Sequence, residues 1–194
     1  MYIPAHFRCD DTATIHAFVR NHGFATLISN VDGAPFASHI PLVLVPGQDG
    51  DRLIGHVARA NPHWQAWQDG VPALAIFHGP HDYVSPSWYD QRPAVPTWNY
   101  AAVHASGTVR VGASLALAEL IRQYEPTLIG DRNTFDPAFN TTLKAHIVGI
   151  EFTVEHWEAK FKLSQNRSEA DRRHIADRLG DSELATMVRQ TIGT

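Results

Sequence analysis

Cysteine is almost missing from this chain: Cys9 is the only one among 194 residues. No disulfide can form within the chain, which fits a reducing compartment. An excess of positive charge is missing too. Sixteen Lys and Arg stand against twenty Asp and Glu, a net charge of -4. A protein that wraps duplex DNA on its own usually carries a basic surface, so the bulk balance lowers that prospect. No apolar run approaches the length of a membrane span. The first residues, MYIPAHFRCDD, have no basic segment followed by an apolar one, so no signal peptide is expected. These absences together predict a cytoplasmic protein.

Several chemical signatures are absent as well. No G-x-G-x-x-G follows a strand, and no G-x-x-x-x-G-K-[ST] occurs, so neither common nucleotide-phosphate loop is signalled. The strained G-x-S-x-G nucleophile turn is missing. Twelve histidines suggest metal, yet no H-E-x-x-H and no Cys/His pairing appears. His78 and His81 sit three apart in what reads as a Gly-Pro turn. No metal is expected and no catalytic residue can be named.

What the chain does have is 44% hydrophobic and 19% charged residues, the balance of a globular protein. Residues 10–23 read as a helix, capped by Asp10 or Asp11 and stopped by Gly23. Residues 24–30 and 37–45 read as a β-hairpin turning at Asp32-Gly33. A third strand is expected over 52–58, a short helix over 61–69 with Asn61 as N-cap and Pro62 at its first position, and a strand over 72–79. A long strand is expected within 97–111 and an amphipathic helix over 114–125, apolar at Leu117, Leu120, Ile121 and Tyr124. Further on, 137–147 suggests a helix, 148–163 alternates like a pair of strands, and 169–190 reads as one or two helices with Gly180 as a stop. Many strands and few helices predict a mainly β, α+β fold, a small β-barrel with peripheral helices. Residues 1–166 would form the barrel domain and 167–194 a helical extension docked on it.

Three stretches attract functional attention. In GHVARANPHW (55–64), Arg59 precedes a helix start, where free N–H groups and a positive dipole end favour anions. The same residues also read as an exposed arginine beside a capped helix. In KFKLSQNR (160–167), Lys160 and Lys162 share a face of a strand. They suit an anion or a polar ring, or merely guard a sheet edge. Finally FHGPHDYVSPSWY (77–89) and VPTWNY (95–100) gather Trp88, Tyr89, Trp98 and Tyr100 among stiffening prolines Pro80, Pro86 and Pro96. Rings held that stiffly suit a planar ligand, a subunit interface or a small second core.

These segments, with MYIPAHF (1–7), SHIPLVL (38–44), VPTWNYAAVHASG (95–107) and IVGIEF (147–152), resemble the PaiB-type family. Its members are described as FMN-binding negative transcriptional regulators. The resemblance implies a split β-barrel of the pyridoxamine phosphate oxidase type that binds FMN at a homodimer interface. It implies a phosphate site at Arg59, flanked by Ala58 and Asn61, and a ring region near Ser85 and Trp88. Thr97, Asn99, Lys160, Lys162 and Gln165 would complete the site across the dimer. It also implies a repressor, which the charge and the lack of a basic recognition helix do not support for direct DNA contact. A flavin-dependent oxidoreductase and a haem-binding split barrel are the alternatives.

Overall fold

The computed structural model describes residues 1–112, 116–131 and 145–193. Seven strands dominate it: β1 (Arg8–Cys9), β2 (Phe24–Val31), β3 (Ala34–Val45), β4 (Arg52–Ala58), β5 (Val71–Val84), β6 (Thr97–Val111) and β7 (Ile147–Lys162). They hydrogen-bond in the order β1-β7-β4-β3-β2-β5-β6, and β6 pairs again with β7. The registered ladders are all antiparallel. Helices α1 (Thr12–Asn21), α2 (Ala116–Tyr124), α3 (Glu169–Leu179) and α4 (Glu183–Gln190) are peripheral. This is the mainly antiparallel split-barrel class that the sequence predicts. No described helix is long and apolar enough to cross a membrane.

The locally encoded elements form where the residues direct them. Asp11 caps α1 by accepting from Thr14 N at 2.8 Å. Asp32 and Gly33 both take positive φ, 52° and 83°, as a two-residue hairpin loop requires. Gly180, φ 67°, ends α3, and the Ser182 side chain opens α4 by accepting from Ala185 N.

Three expectations change. The helix expected over 61–69 is a six-residue 3-10 helix, Pro62–Trp67, behind the expected Asn61 cap. The Gly-Pro segment 78–81 is not a turn: β5 runs through it to Val84. Residues 148–163 are not a strand pair but most of the single strand β7. The expected helix at 137–147 falls largely outside the described residues, as do 114–115 of the one at 114–125.

Contacts divide the chain into two compact units. The second comprises Val19–Phe77 and His104–Trp157. Its hairpin pairs Phe24 with Pro41 through Val31 with Ala34, and β4 pairs with β7 from Arg52–Thr153 to Ala58–Ile147. Leu27, Leu42, Leu53, Phe77, Ile150 and Phe152 fill its interior. A buried polar network ties the 3-10 helix to the hairpin. His63 bonds to Ser29 Oγ at 2.8 Å and Ser38 Oγ at 2.9 Å, and Trp67 Nε1 donates to Ser29 Oγ at 2.9 Å. Satisfying each buried polar atom is what makes such a network tolerable in a core.

The first unit comprises Met1–Phe18, His78–Val103 and Glu158–Thr194. Its core joins Val84, Tyr89 and Leu163 to Ile175, Leu184 and Val188 of α3 and α4, with Trp88 and Phe161 packed against it. The C-terminal helices thus bury their apolar positions on the ends of β5 and β7.

Candidate functional site

In the second unit, β4 delivers the Ala58-Arg59 corner. Ala58 and Arg59 are both exposed. Arg59 Nε donates to the Ala145 carbonyl at 2.7 Å, and Nη2 donates to the Ile147 carbonyl at 2.9 Å. Two of the five guanidinium N–H donors therefore orient the group. Asn61 is half-buried and used at both ends: its Oδ1 accepts from His63 N at 3.0 Å, and its Nδ2 donates to Ser38 Oγ at 2.9 Å. The expected helix-end cradle thus reduces to Arg59, with Asn61 holding the corner. His56, on the same strand, was not anticipated. Its Nδ1 is buried without a hydrogen-bond partner, and burial lowers its pKa.

In the first unit, β6, β7 and the turn after β7 hold five expected residues. Lys160 is buried and donates to the Tyr2 carbonyl at 3.0 Å. Its ammonium faces the rings of Tyr2 at 5.6 Å and Tyr100 at 5.3 Å, a cation–π enclosure. Lys162 donates to Thr97 Oγ1 at 2.5 Å and to the Trp98 carbonyl, and lies 6.0 Å from the centre of the Phe7 ring. Burial lowers the Lys162 pKa first, and the charges of Lys160 and Arg167 lower it further. Two ammoniums two residues apart on one strand face concentrate positive charge where water is partly excluded.

Asn99 and Gln165 act inward. Asn99 is fully buried; its Nδ2 donates to Ser164 Oγ at 2.9 Å, and that hydroxyl returns to Asn99 Oδ1 at 3.0 Å. Ser164 holds a left-handed φ of 64°, uncommon for a residue with a side chain. Gln165 accepts from Leu163 N at 2.8 Å and donates to the Phe161 carbonyl at 2.6 Å. Together they clamp the turn that follows the two lysines.

The aromatic block divides. Tyr89 is buried in the core beneath α3 and α4, and Trp88 packs on that core. Ser85 caps the 3-10 turn Pro86–Trp88 by accepting from Ser87 N at 3.2 Å, so Ser85 and Trp88 belong to that turn. Trp98 is instead 53% exposed and Tyr83 41% exposed. The Trp98 ring lies 6.2 Å from Tyr83, edge to face, and 6.4 Å from His81. This open ring platform on β5 and β6 was not fully anticipated. The strand period could have shown it: Thr97 and Asn99 alternate with Trp98, so an inward Asn99 sends Trp98 out.

The chemistry available is anion recognition at Arg59, positive charge at Lys160 and Lys162, and a flat apolar surface at Trp98. Among the described residues no group of His, Cys, Asp and Glu is arranged to hold a metal ion.

Comparison with known proteins gives these features a setting. The family described as "Putative FMN-binding domain" matches residues 1–156. The Bacillus subtilis (strain 168) protein named "Protease synthase and sporulation protein PAI 2" is 35% identical over 191 residues, covering 94% of this chain and 91% of its own. Among solved structures, the FAD and haem binding protein from Mycobacterium smegmatis superposes with a TM-score of 0.58 at 19% identity, covering 80% of this chain and 73% of its own. The flavocytochrome Anf3 from Azotobacter vinelandii gives 0.59 at 16% identity, covering 82% and 72%. At such identities the structural likeness speaks for the fold alone.

Proposed function

The chain belongs to the FMN-binding domain family, and from that premise we propose that it is an FMN-binding homodimer whose flavin state serves regulation. The observation that carries this reading is the Lys160–Lys162 pair, held by the Tyr2 carbonyl and by β6 and enclosed by Tyr2, Tyr100 and Phe7.

FMN presents a phosphate, a flat ring and a ring edge that turns negative on reduction. Each compact unit, taken by itself, holds residues that suit some of these parts. Arg59 supplies a guanidinium oriented for a phosphate, with Ala58 beside it. His56 supplies a buried nitrogen that has no partner of its own. Lys160 and Lys162 supply positive charge for the ring edge. Thr97 fixes the Lys162 ammonium, while Asn61, Asn99 and Gln165 hold the segments in shape. Ser85 and Trp88 support the ring region from their 3-10 turn. When bound, FMN would supply reversible electron transfer; the chain's own residues bind it and tune its charge.

The exposed Trp98, Tyr83 and Val95 support a dimer, because Trp and Tyr are enriched in interface centres. The regulatory role rests on the family resemblance, and direct DNA reading has little to work with. Arg172 donates to the Thr191 carbonyl, Arg173 pairs with Glu169, and Arg189 donates to the Ala176 and Gly180 carbonyls. A protein partner in a reducing cytoplasm is the route proposed. An oxidoreductase reading shares the same flavin site and is separated from this one by turnover with NADH or NADPH.

Titration of FMN into the wild type and Arg59→Gln tests the phosphate assignment. The account expects at least a roughly ten-fold loss of affinity, the size of one charge-assisted hydrogen bond. Unchanged affinity removes Arg59 from the site.

A further inference from the structure

We propose that a second cleft, formed within the first unit by β1, α1, the end of β7 and the C-terminal helices, binds a small amphipathic monocarboxylate. The cleft has a volume of about 460 Å³. That lies within the range of about 300–1,000 Å³ usual for small-molecule sites. Phe7, Phe161, Leu163 and Met187 give it apolar walls, and Arg8 and Arg172 give it two cations. None of its lining residues is acidic.

That last point decides the ligand class. The chain as a whole carries a net charge of -4, so a lining with cations alone is not what bulk composition would produce. Another cleft of the first unit, of about 450 Å³, shows the ordinary pattern. There Arg92 and Arg178 are balanced by Asp90 and Asp177, and His174 lies 3.4 Å from Asp90. The first cleft has no such internal balance. Two guanidiniums with an apolar wall call for an anion that carries an apolar body.

Arg172 adds a second, independent observation. Its Nη1 donates to the Thr191 carbonyl, which fixes the guanidinium. Its Nε lies buried with no hydrogen-bond partner among the described residues. A buried donor left unmade is costly, so the guanidinium beside the cleft has hydrogen-bonding capacity that the fold does not use. Gln190 offers a further amide at the rim. Arg172, Met187 and Gln190 all lie beyond residue 156, where the family match ends. The cleft is therefore built in part by this chain's C-terminal helices and not by the matched domain alone. It does not depend on the flavin reading.

The test is calorimetric titration of the full chain with octanoate, with 1-octanol as the neutral counterpart, in the absence and presence of saturating FMN. Octanoate binds saturably, one per chain, and 1-octanol binds at least about ten-fold more weakly because it lacks the charge. Arg8→Gln, an exposed change, weakens octanoate about ten-fold on the same ground and leaves FMN affinity unchanged. Met187→Trp, which fills the cleft, abolishes octanoate binding while the melting temperature shows a folded protein. No saturable octanoate binding overturns the proposal. Equal binding of octanoate and octanol overturns it too, as does indifference to Arg8→Gln. Displacement of octanoate by FMN also overturns it, because the cleft would then be the flavin's own.

Discussion

Lys162 pays for its position: burial and two neighbouring cations all oppose its charge, and no carboxylate among the described residues is paired with it. A bound anion would restore what the fold takes away. FMN affinity should therefore be strongest while Lys162 is protonated, and should fall as pH rises through its lowered pKa, earlier than for an ordinary lysine. Lys162→Met should weaken FMN binding at neutral pH and flatten that alkaline fall; a titration series from pH 7 to 10 reads both. His63 carries the opposite kind of statement, about stability. It is fully buried and bonded to two serine hydroxyls, and burial lowers its pKa to about 4. The unfolded chain takes up this proton near pH 6.5, the folded one only near 4. Its contribution is therefore complete above pH 6.5 and is lost as pH falls towards 4, to a total of roughly 3 kcal/mol. Urea unfolding at pH 7 and pH 5 should show the loss, and equal midpoints would contradict it. The sequence could not reveal which amides are spent. Asn61, Asn99 and Gln165 read as ligand donors because an amide looks the same whether it faces a ligand or a partner within the chain. In the fold they donate to Ser38 Oγ, Ser164 Oγ and the Phe161 carbonyl.

Elements defined by neighbouring residues were legible, and those defined by distant ones were not. Helix α1, the Asp32-Gly33 hairpin and β4 lie where capping, turn chemistry and alternation put them. Strand β5 runs on through His78-Gly79-Pro80, where Phe18 of α1 packs against it. A Cβ on Gly79 would lie 2.5 Å from the Phe18 ring, so glycine here serves close packing and not a turn. Gly79→Ala should cost about 1–3 kcal/mol by overpacking, measured by thermal or urea unfolding. Gly107 is more demanding, since its Cβ would meet the Thr153 carbonyl oxygen of the paired strand at 2.0 Å. Gly107→Ala should be the worse of the two, because backbone yields less readily than a ring. The reverse order would mean that β6 and β7 are less tightly apposed than the ladder suggests.

Over the whole molecule, the fold class and cofactor family were legible because long motifs such as PSWY, PTWNY and KLSQN run through the chain in order. The surroundings of the candidate residues were less legible. The sequence singled out Lys160 and Lys162, but the rings enclosing them come from Tyr2, Phe7 and Tyr100, which only folding brings near. The proposed dimer belongs to this scale. Trp98→Asp puts a charge on the exposed ring platform and should shift the protein towards monomer in sedimentation velocity, with little change in melting temperature. The most direct measurement is the visible absorption spectrum of the purified wild-type protein during FMN titration, with protein concentration known. The account predicts a bound-flavin spectrum that saturates at one FMN per chain. A protein that leaves the FMN spectrum unchanged at every concentration would contradict it.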